Sequence, residues 1–243
     1  MASRASYIVA NAAAGNCDVV IVHSPADEKA LLASGDLTMR LPIAYNYFTV
    51  VGPYSLKSKD PAHVLGSTTA VAAFKKIAAW GARSGKIAFV SRGDKSGTNK
   101  KELEIWKAAG ITIDPANPPK WYLSTGSGML ATLQVTAAQN KAAGAYTLTD
   151  LATWIKNKSS AHLAPPLRRL LTETADMRNQ YSIDLINQAQ HNDVNSAAAE
   201  FLAEWLVSHQ GQAAIAAYKV SNVQLFFPNS YAVSGTNVPP AAP

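Results

Sequence analysis

The strongest constraint on this chain is a repeated pattern. Short, fully apolar runs alternate with amphipathic stretches, and the two are joined by Gly-, Ser- or Pro-bearing turns. Asp18-Val-Val-Ile-Val-His23 follows Gly15-Asn16 and reads as a buried strand. Ser24-Pro25 then opens a helix, with Asp27 and Glu28 in its first turn and Gly35 at its end. Tyr45 to Val51 is a second strand, stopped by Gly52-Pro53. Further strands are predicted at Lys86–Ser91, Trp121–Ser124, Ala145–Leu148 and Tyr181–Ile186. Helices are predicted at Thr69–Gly81, Asn99–Ala109, Met129–Gln139 and Asn195–His209. In the last of these, Ala198, Phe201, Leu202, Trp205 and Leu206 form a stripe at helical spacing that is expected to face the core, with Gly211 marking the end. Strands alternating with helices predict an α/β architecture with mainly parallel sheets. Ligands of such sheets sit at the carboxyl ends of strands, where helices begin.

Composition narrows the partner. Of 243 residues, 48% are hydrophobic and 16% charged, so the chain can bury a core. The net charge of +6 suits an anion, but the longest basic runs are pairs: Lys75-Lys76, Lys100-Lys101 and Arg168-Arg169. Nucleic-acid binders concentrate their cations in stripes, so a small anion fits better than a phosphate backbone. No stretch approaches the ~18 apolar residues of a membrane span. Met1–Gly15 reads as a short Ala-rich helix and not a secretory signal. The single Cys17 excludes an internal disulfide and reads as a small buried hydrophobe. The five histidines (His23, His63, His162, His191, His209) have no metal-ligand spacing, and His23, at a strand end, reads as a structural turn residue. There is no Gly-x-Ser-x-Gly elbow and no His-Glu-x-x-His helix, so neither an enzyme nor a cofactor is expected. The tail from Ser234 reads as disordered.

The stretch richest in chemistry is Phe89-Val-Ser-Arg-Gly-Asp-Lys-Ser-Gly-Thr98. A strand delivers Arg92 to the sheet edge, and Gly93 and Gly97 free the backbone to turn. Ser96, Gly97 and Thr98 then fall at a helix start, where unpaired N–H groups and the dipole favour an anion. Arg92 adds a forked cation, and Ser96 and Thr98 add hydroxyl donors. The competing reading is plain capping by Ser96 or Thr98, with Arg92 in a surface ion pair. An Arg92 pointing to bulk solvent, or wholly spent on an acid, would rule the anion site out. Ser124-Thr-Gly-Ser-Gly-Met129 repeats the layout, with Ser127 and the amides of Gly128 and Met129 as candidate donors.

Ser91-Arg-Gly-Asp-Lys-Ser-Gly-Thr98 resembles the Ser-Arg-Gly-Asp-x-Ser-Gly-Thr signature of tungstate-binding proteins of ABC importers. Tyr45–Pro53, Asp60-Pro-Ala62, Trp121–Met129, Gly144–Asp150 and Asn179–Asn187 fall in the same order as that family's other marks. The resemblance implies a type II periplasmic-binding fold of two α/β lobes. Lobe I would be 1–53 with 183–243, and lobe II 54–182. It implies a tetrahedral oxyanion, tungstate or molybdate, in the inter-lobe cleft, held by Arg92, Ser96, Gly97, Thr98, Ser127 and Gly128. An ABC permease as partner, a monomer, and a periplasmic or extracellular location go with it. The chain departs from the family pattern at Tyr47, where an Asp is usual, and at Asn99, where a His is usual. It also begins after the strand and Thr/Ser-rich loop that open the family, so lobe I is expected to be incomplete and binding weakened. Phosphate or sulfate binding, and a lobe fragment serving as an interaction module, stay open as alternatives.

Overall fold

The computed structural model describes residues 4–53, 60–140, 144–159, 163, 166–171, 173–220 and 222–230. His162 and the tail from Ser234 lie outside them. The chain divides into two compact units, Met1–Asn46 with Asn179–Pro243, and Tyr47–Arg178.

The first unit opens with α1 (Arg4–Ala13), β1 (Val19–Val22), α2 (Pro25–Ser34) and β2 (Leu37–Pro53). Helix α2 starts on Pro25, whose fixed φ and missing N–H cost nothing at that position. It stops where Gly35 takes φ 85° and donates its N–H to the Leu32 carbonyl. Strand β2 is much longer than the predicted Tyr45–Val51, because both units use it. Tyr45 and Ala44 pair in the first, and Phe48 to Pro53 in the second. Cys17 is half-buried against the core of the first unit, and burial pushes its thiol pKa up, with the Asp18 charge adding to the shift. His23 is half-buried too, with Nδ1 3.1 Å from Asn179 Oδ1 and its ring 4.8 Å from that of Tyr181.

The second unit contains α3 (Ala70–Ser84), β3 (Phe89–Ser91), α4 (Gly97–Ala108), β4 (Tyr122–Ser124), α5 (Met129–Gln139), β5 (Thr147–Asp150), α6 (Leu151–Asn157) and β6 (Leu167–Arg169). Its core is aromatic. Trp106 on α4 is fully buried, with ring centroids 4.4 Å from Phe74, 5.1 Å from Phe89 and 5.3 Å from Trp121. These rings fix α3 and α4 against β3, through large buried areas and tilted or edge-on contacts.

The chain returns to the first unit along β7 (Arg178–Ile186), then α7 (Ser196–Val207), α8 (His209–Ala217), β8 (Lys219–Val220), β9 (Val223–Gln224) and β10 (Phe227–Pro228). Strand order in that unit is β1-β7-β2-β10.

Two expectations are corrected. The sheets are not mainly parallel. Among the pairings described, β3 with β4 and the bridge from Phe89 to Tyr146 are parallel, whereas β1–β7, β2–β10, β2–β5, β2–β6 and β8–β9 are antiparallel. A short, uniformly apolar run carries no signature of the direction of its neighbour. The Asn195–His209 helix is found as α7, with a second helix following at once, but of its predicted stripe only Leu206 packs on the core. Phe201 is 75% exposed, Trp205 43% and Leu202 39%, while Ala199, Ala203 and Val207 are buried against Ile43, Ala44, Ile183 and Leu185. Helix α7 is apolar on both faces, and its small side chains give the closer approach to the sheet.

Candidate functional site

Strands β3 and β4 lie side by side in parallel, with Phe89 opposite Tyr122 and Ser91 opposite Ser124. Both end at one edge, each feeds a turn, and each turn starts a helix. Register alone therefore brings the two candidate loops together. Hydrogen bonds then join them. Thr125 N–H donates to the Ser91 carbonyl (3.0 Å) and Ser127 N–H to that of Arg92 (3.1 Å), while the Thr125 hydroxyl lies within donating distance of both carbonyls (3.1 and 3.3 Å). Gly93, at φ 60°, lies so close to the second loop that a Cβ there would sit 1.8 Å from Ser124 Oγ. A glycine is required on both counts.

At the helix starts the donors are unspent. Ser96 caps α4 by accepting the Asn99 N–H (3.4 Å), so capping and an anion site coexist in one turn. The amides of Gly97 and Thr98 donate to nothing among the described residues, and the Thr98 hydroxyl makes no hydrogen bond there either. At α5 the N-cap is Gly128, without a capping side chain, and the amides of Gly128 and Met129 are likewise unspent. Ser127 differs: its hydroxyl turns back to the Thr125 carbonyl (3.1 Å). Two helix N-termini with free N–H groups, on two loops bonded to each other, make an electropositive, donor-rich surface.

Arg92 neither points to bulk solvent nor is wholly spent. Its side chain is 19% exposed, and Nε and Nη2 both donate to Asp94 Oδ2, at 3.2 and 2.5 Å. Nη1 has no partner among the described residues. Asp94 Oδ1 accepts the Ser96 N–H (3.2 Å). Burial pushes the Asp94 carboxyl up, but the hydrogen bonds from Ser96 and Arg92 outweigh it and hold the group below the usual carboxylate range. The sequence reading missed Asp94. Its position two residues after Arg92, in a turn with two glycines, was the available signal.

It also missed the floor of the site. Glu102, 2% exposed, accepts from Ser91 Oγ (2.5 Å), Tyr122 Oη (2.6 Å), Trp106 Nε1 (3.2 Å) and Asn99 Nδ2 (3.4 Å). Burial pushes the Glu102 carboxyl up against the opposing pull of these four donors. Asn99 is buried within this network. Among the described residues no cluster of His, Cys, Asp and Glu could hold a metal cation, and no helix is long and apolar enough to cross a membrane.

The family model for the PBP superfamily domain matches residues 2–210. A Haloferax volcanii protein named for anion binding in an ABC transporter is 38% identical over 217 residues. That match takes in 89% of this chain, which spans 58% of the relative's own length. The tungstate-binding protein TupA of Peptoclostridium acidaminophilum is 32% identical over 222 residues, covering 89% of this chain and 70% of that protein. Among solved structures, the tungstate-binding protein TupA from Desulfovibrio alaskensis G20 superposes with a TM-score of 0.77 at 36% identity, covering 93% of this chain and 84% of that one. The chain belongs to the PBP superfamily and, within it, to the family of tungstate-binding proteins of ABC importers.

Proposed function

We propose that this chain is a solute-binding protein for a fully ionised tetrahedral oxyanion, tungstate or molybdate, delivered to an ABC permease from the periplasmic or extracellular side. The observation that carries this reading is the meeting of two helix N-termini. The unspent amides of Gly97, Thr98, Gly128 and Met129 share one pair of bonded loops with Arg92 Nη1. Neutral donors plus one fork-shaped cation match a small dianion without the desolvation cost of several buried charges. Ser96 and Thr98 contribute their hydroxyls, and Ser127 joins if its hydroxyl rotates away from the Thr125 carbonyl.

Asp94 is engaged by donors of its own loop. It is the one carboxylate in the two loops, and its oxygens already accept from Arg92 and Ser96. Tungstate, molybdate and sulfate bring acceptors only, which match amides and a guanidinium, whereas hydrogen phosphate also brings an O–H that the Ser96, Thr98 or Ser127 hydroxyl would have to accept; the relatives named for tungstate binding favour the first kind of ion.

Calorimetric titration with tungstate, molybdate, sulfate and phosphate tests the reading. Tungstate and molybdate are expected to bind, and phosphate to bind much more weakly. Arg92→Ala removes a charge-assisted contact worth about 1.5–3 kcal/mol and should weaken tungstate binding roughly ten- to a hundredfold. Arg168→Ala, on β6, should leave affinity unchanged. Equal losses in the two variants would reduce the role of Arg92 to general surface charge and overturn the site.

A further inference from the structure

The Glu102 network reaches beyond the core it sits in. Within the Arg92 loop, two residues hold positive φ, Gly93 at 60° and Lys95 at 59°. For Lys95 this backbone state is costly and persists only where the surroundings impose it. Both residues are held through their N–H groups by partners of Glu102. Gly93 N–H donates to Ser91 Oγ (3.1 Å), and Lys95 N–H to Asn99 Oδ1 (3.1 Å). Ser91 Oγ also accepts from Asn99 Nδ2 (3.3 Å), so its own proton is left for Glu102 Oε2 (2.5 Å). The other carboxylate oxygen takes the hydroxyl of Tyr122, on the strand that delivers the second loop, at 2.6 Å.

We infer that Glu102 is a positioning residue for the oxyanion site, its buried carboxylate bracing both donor loops through Ser91, Asn99 and Tyr122. The inference rests on the oxyanion reading. A polar knot serving stability alone would have no reason to end on the two left-handed residues of the anion loop. Glu102 touches none of the proposed ligand contacts, and it acts by fixing where the Gly97 and Thr98 amides and the Arg92 fork point. Acceptor-only chemistry at this place is the requirement, because every neighbour of the carboxylate arrives as a donor.

The experiment is tungstate calorimetry on the full chain carrying Glu102→Gln, Ser91→Ala or the double change Glu102→Gln with Asn99→Asp, alongside Arg92→Ala. The Glu102→Gln change keeps the volume but turns an N–H toward one of two donor pairs. Affinity should fall roughly tenfold or more, as when a residue behind a ligating shell is lost. Ser91→Ala cuts the link from Glu102 to Gly93 without adding a buried donor. It should fall in the same direction, and it decides the matter if the Glu102→Gln variant does not fold. The double variant returns a carboxylate to the network one step away, at a residue that already receives the Lys95 N–H, and should recover most of the loss. A role in packing alone would not produce that rescue. Wild-type affinity in Glu102→Gln or in Ser91→Ala, while Arg92→Ala still loses binding, would overturn the positioning role and leave the oxyanion reading standing. No loss in Arg92→Ala would take down both.

Discussion

Asp184 shows how one residue can set the pH response of a unit. It lies on β7 with 0% exposure, and neither carboxyl oxygen has a hydrogen-bond partner among the described residues. Its neighbours are the equally buried Glu28, which accepts from Arg40 Nε, Ser182 Oγ (2.7 Å) and the Ser24 N–H (2.6 Å). Two acids thus share one arginine. Burial first, and then the Glu28 charge, push the Asp184 carboxyl up to about 7, with Arg40 and the nearby Ser182 hydroxyl pulling the other way. The folded pKa lies above the unfolded one, so the folded state binds the proton more tightly. The stability that Asp184 contributes is then full below about pH 4, falls as pH rises toward 7, and is flat above. At ~1.4 kcal/mol per pKa unit the loss is on the order of 4 kcal/mol. Urea unfolding at pH 5, 6, 7 and 8 should show this decline, and Asp184→Asn should flatten it. A wild-type curve that is flat or rises across this range would mean that Asp184 stays ionised and paired. Arg92 and Asp94 teach a related lesson in the other unit. The sequence identified the cation by its place after a strand, and the spacing of Asp94 two residues on was a signal, but which way the turn folds the two side chains was not legible.

At the scale of elements, what the sequence disclosed depended on whether the signal was local. Helix α5 falls on the predicted Met129–Gln139, and α2 on the predicted Pro25 start and Gly35 stop, because caps and breakers act within a turn. The meeting of the two donor loops was half legible. Both strand–turn–helix patterns could be read, but their adjacency needed the β3–β4 register. The C-terminal helix was legible, but its buried face failed for a tertiary reason. Ala199, Ala203 and Val207 repeat at helical spacing as faithfully as Phe201 and Trp205 do, and size alone made the wrong face look like the core. The end of that helix was misread at Gly211, which lies inside α8. Ser208 makes the break: its Oγ donates to the Trp205 carbonyl (2.7 Å) and accepts the Gly211 N–H (3.2 Å). A Cβ at Gly211 would come within 2.1 Å of that same carbonyl, so glycine here permits a tight corner and ends nothing. The observed packing makes a prediction opposite to the sequence reading. Ala203→Leu should overpack the sheet and cost about 1–3 kcal/mol. Phe201→Ser should stay within about 0.5 kcal/mol of the parent. Chemical denaturation of the two variants checks the order, and a larger loss at Phe201 would restore the predicted stripe.

For the whole molecule, the proposed oxyanion donors and the Asp184 carboxyl lie on different units, and the consequence of that separation can be measured. The proposed oxyanion donors all lie in Tyr47–Arg178, whereas Glu28, Arg40, Ser182 and Asp184 all lie in Met1–Asn46 with Asn179–Pro243. Strand β2 runs continuously through both, from Leu37 to Pro53. A ligand that binds only the folded state stabilises by about 2.7 kcal/mol at a hundred times its Kd. If each unit opens as its own cooperative block, tungstate should slow amide exchange in α4, α5 and the strands beneath them and leave β1 and β7 unchanged. Raising the pH from 5 to 8, after correction for the intrinsic rate, should do the reverse. It should speed exchange in β1 and β7, where Val20 faces Asp184 in register. Arg92→Ala should erase the first response only, and Asp184→Asn the second only. The continuity of β2 argues for the other outcome, in which each perturbation shifts protection throughout and the chain unfolds as one body. Hydrogen exchange resolved by segment decides between them. Its answer fixes whether the energy of a bound oxyanion stays in the unit that binds it or is passed along a strand to the other.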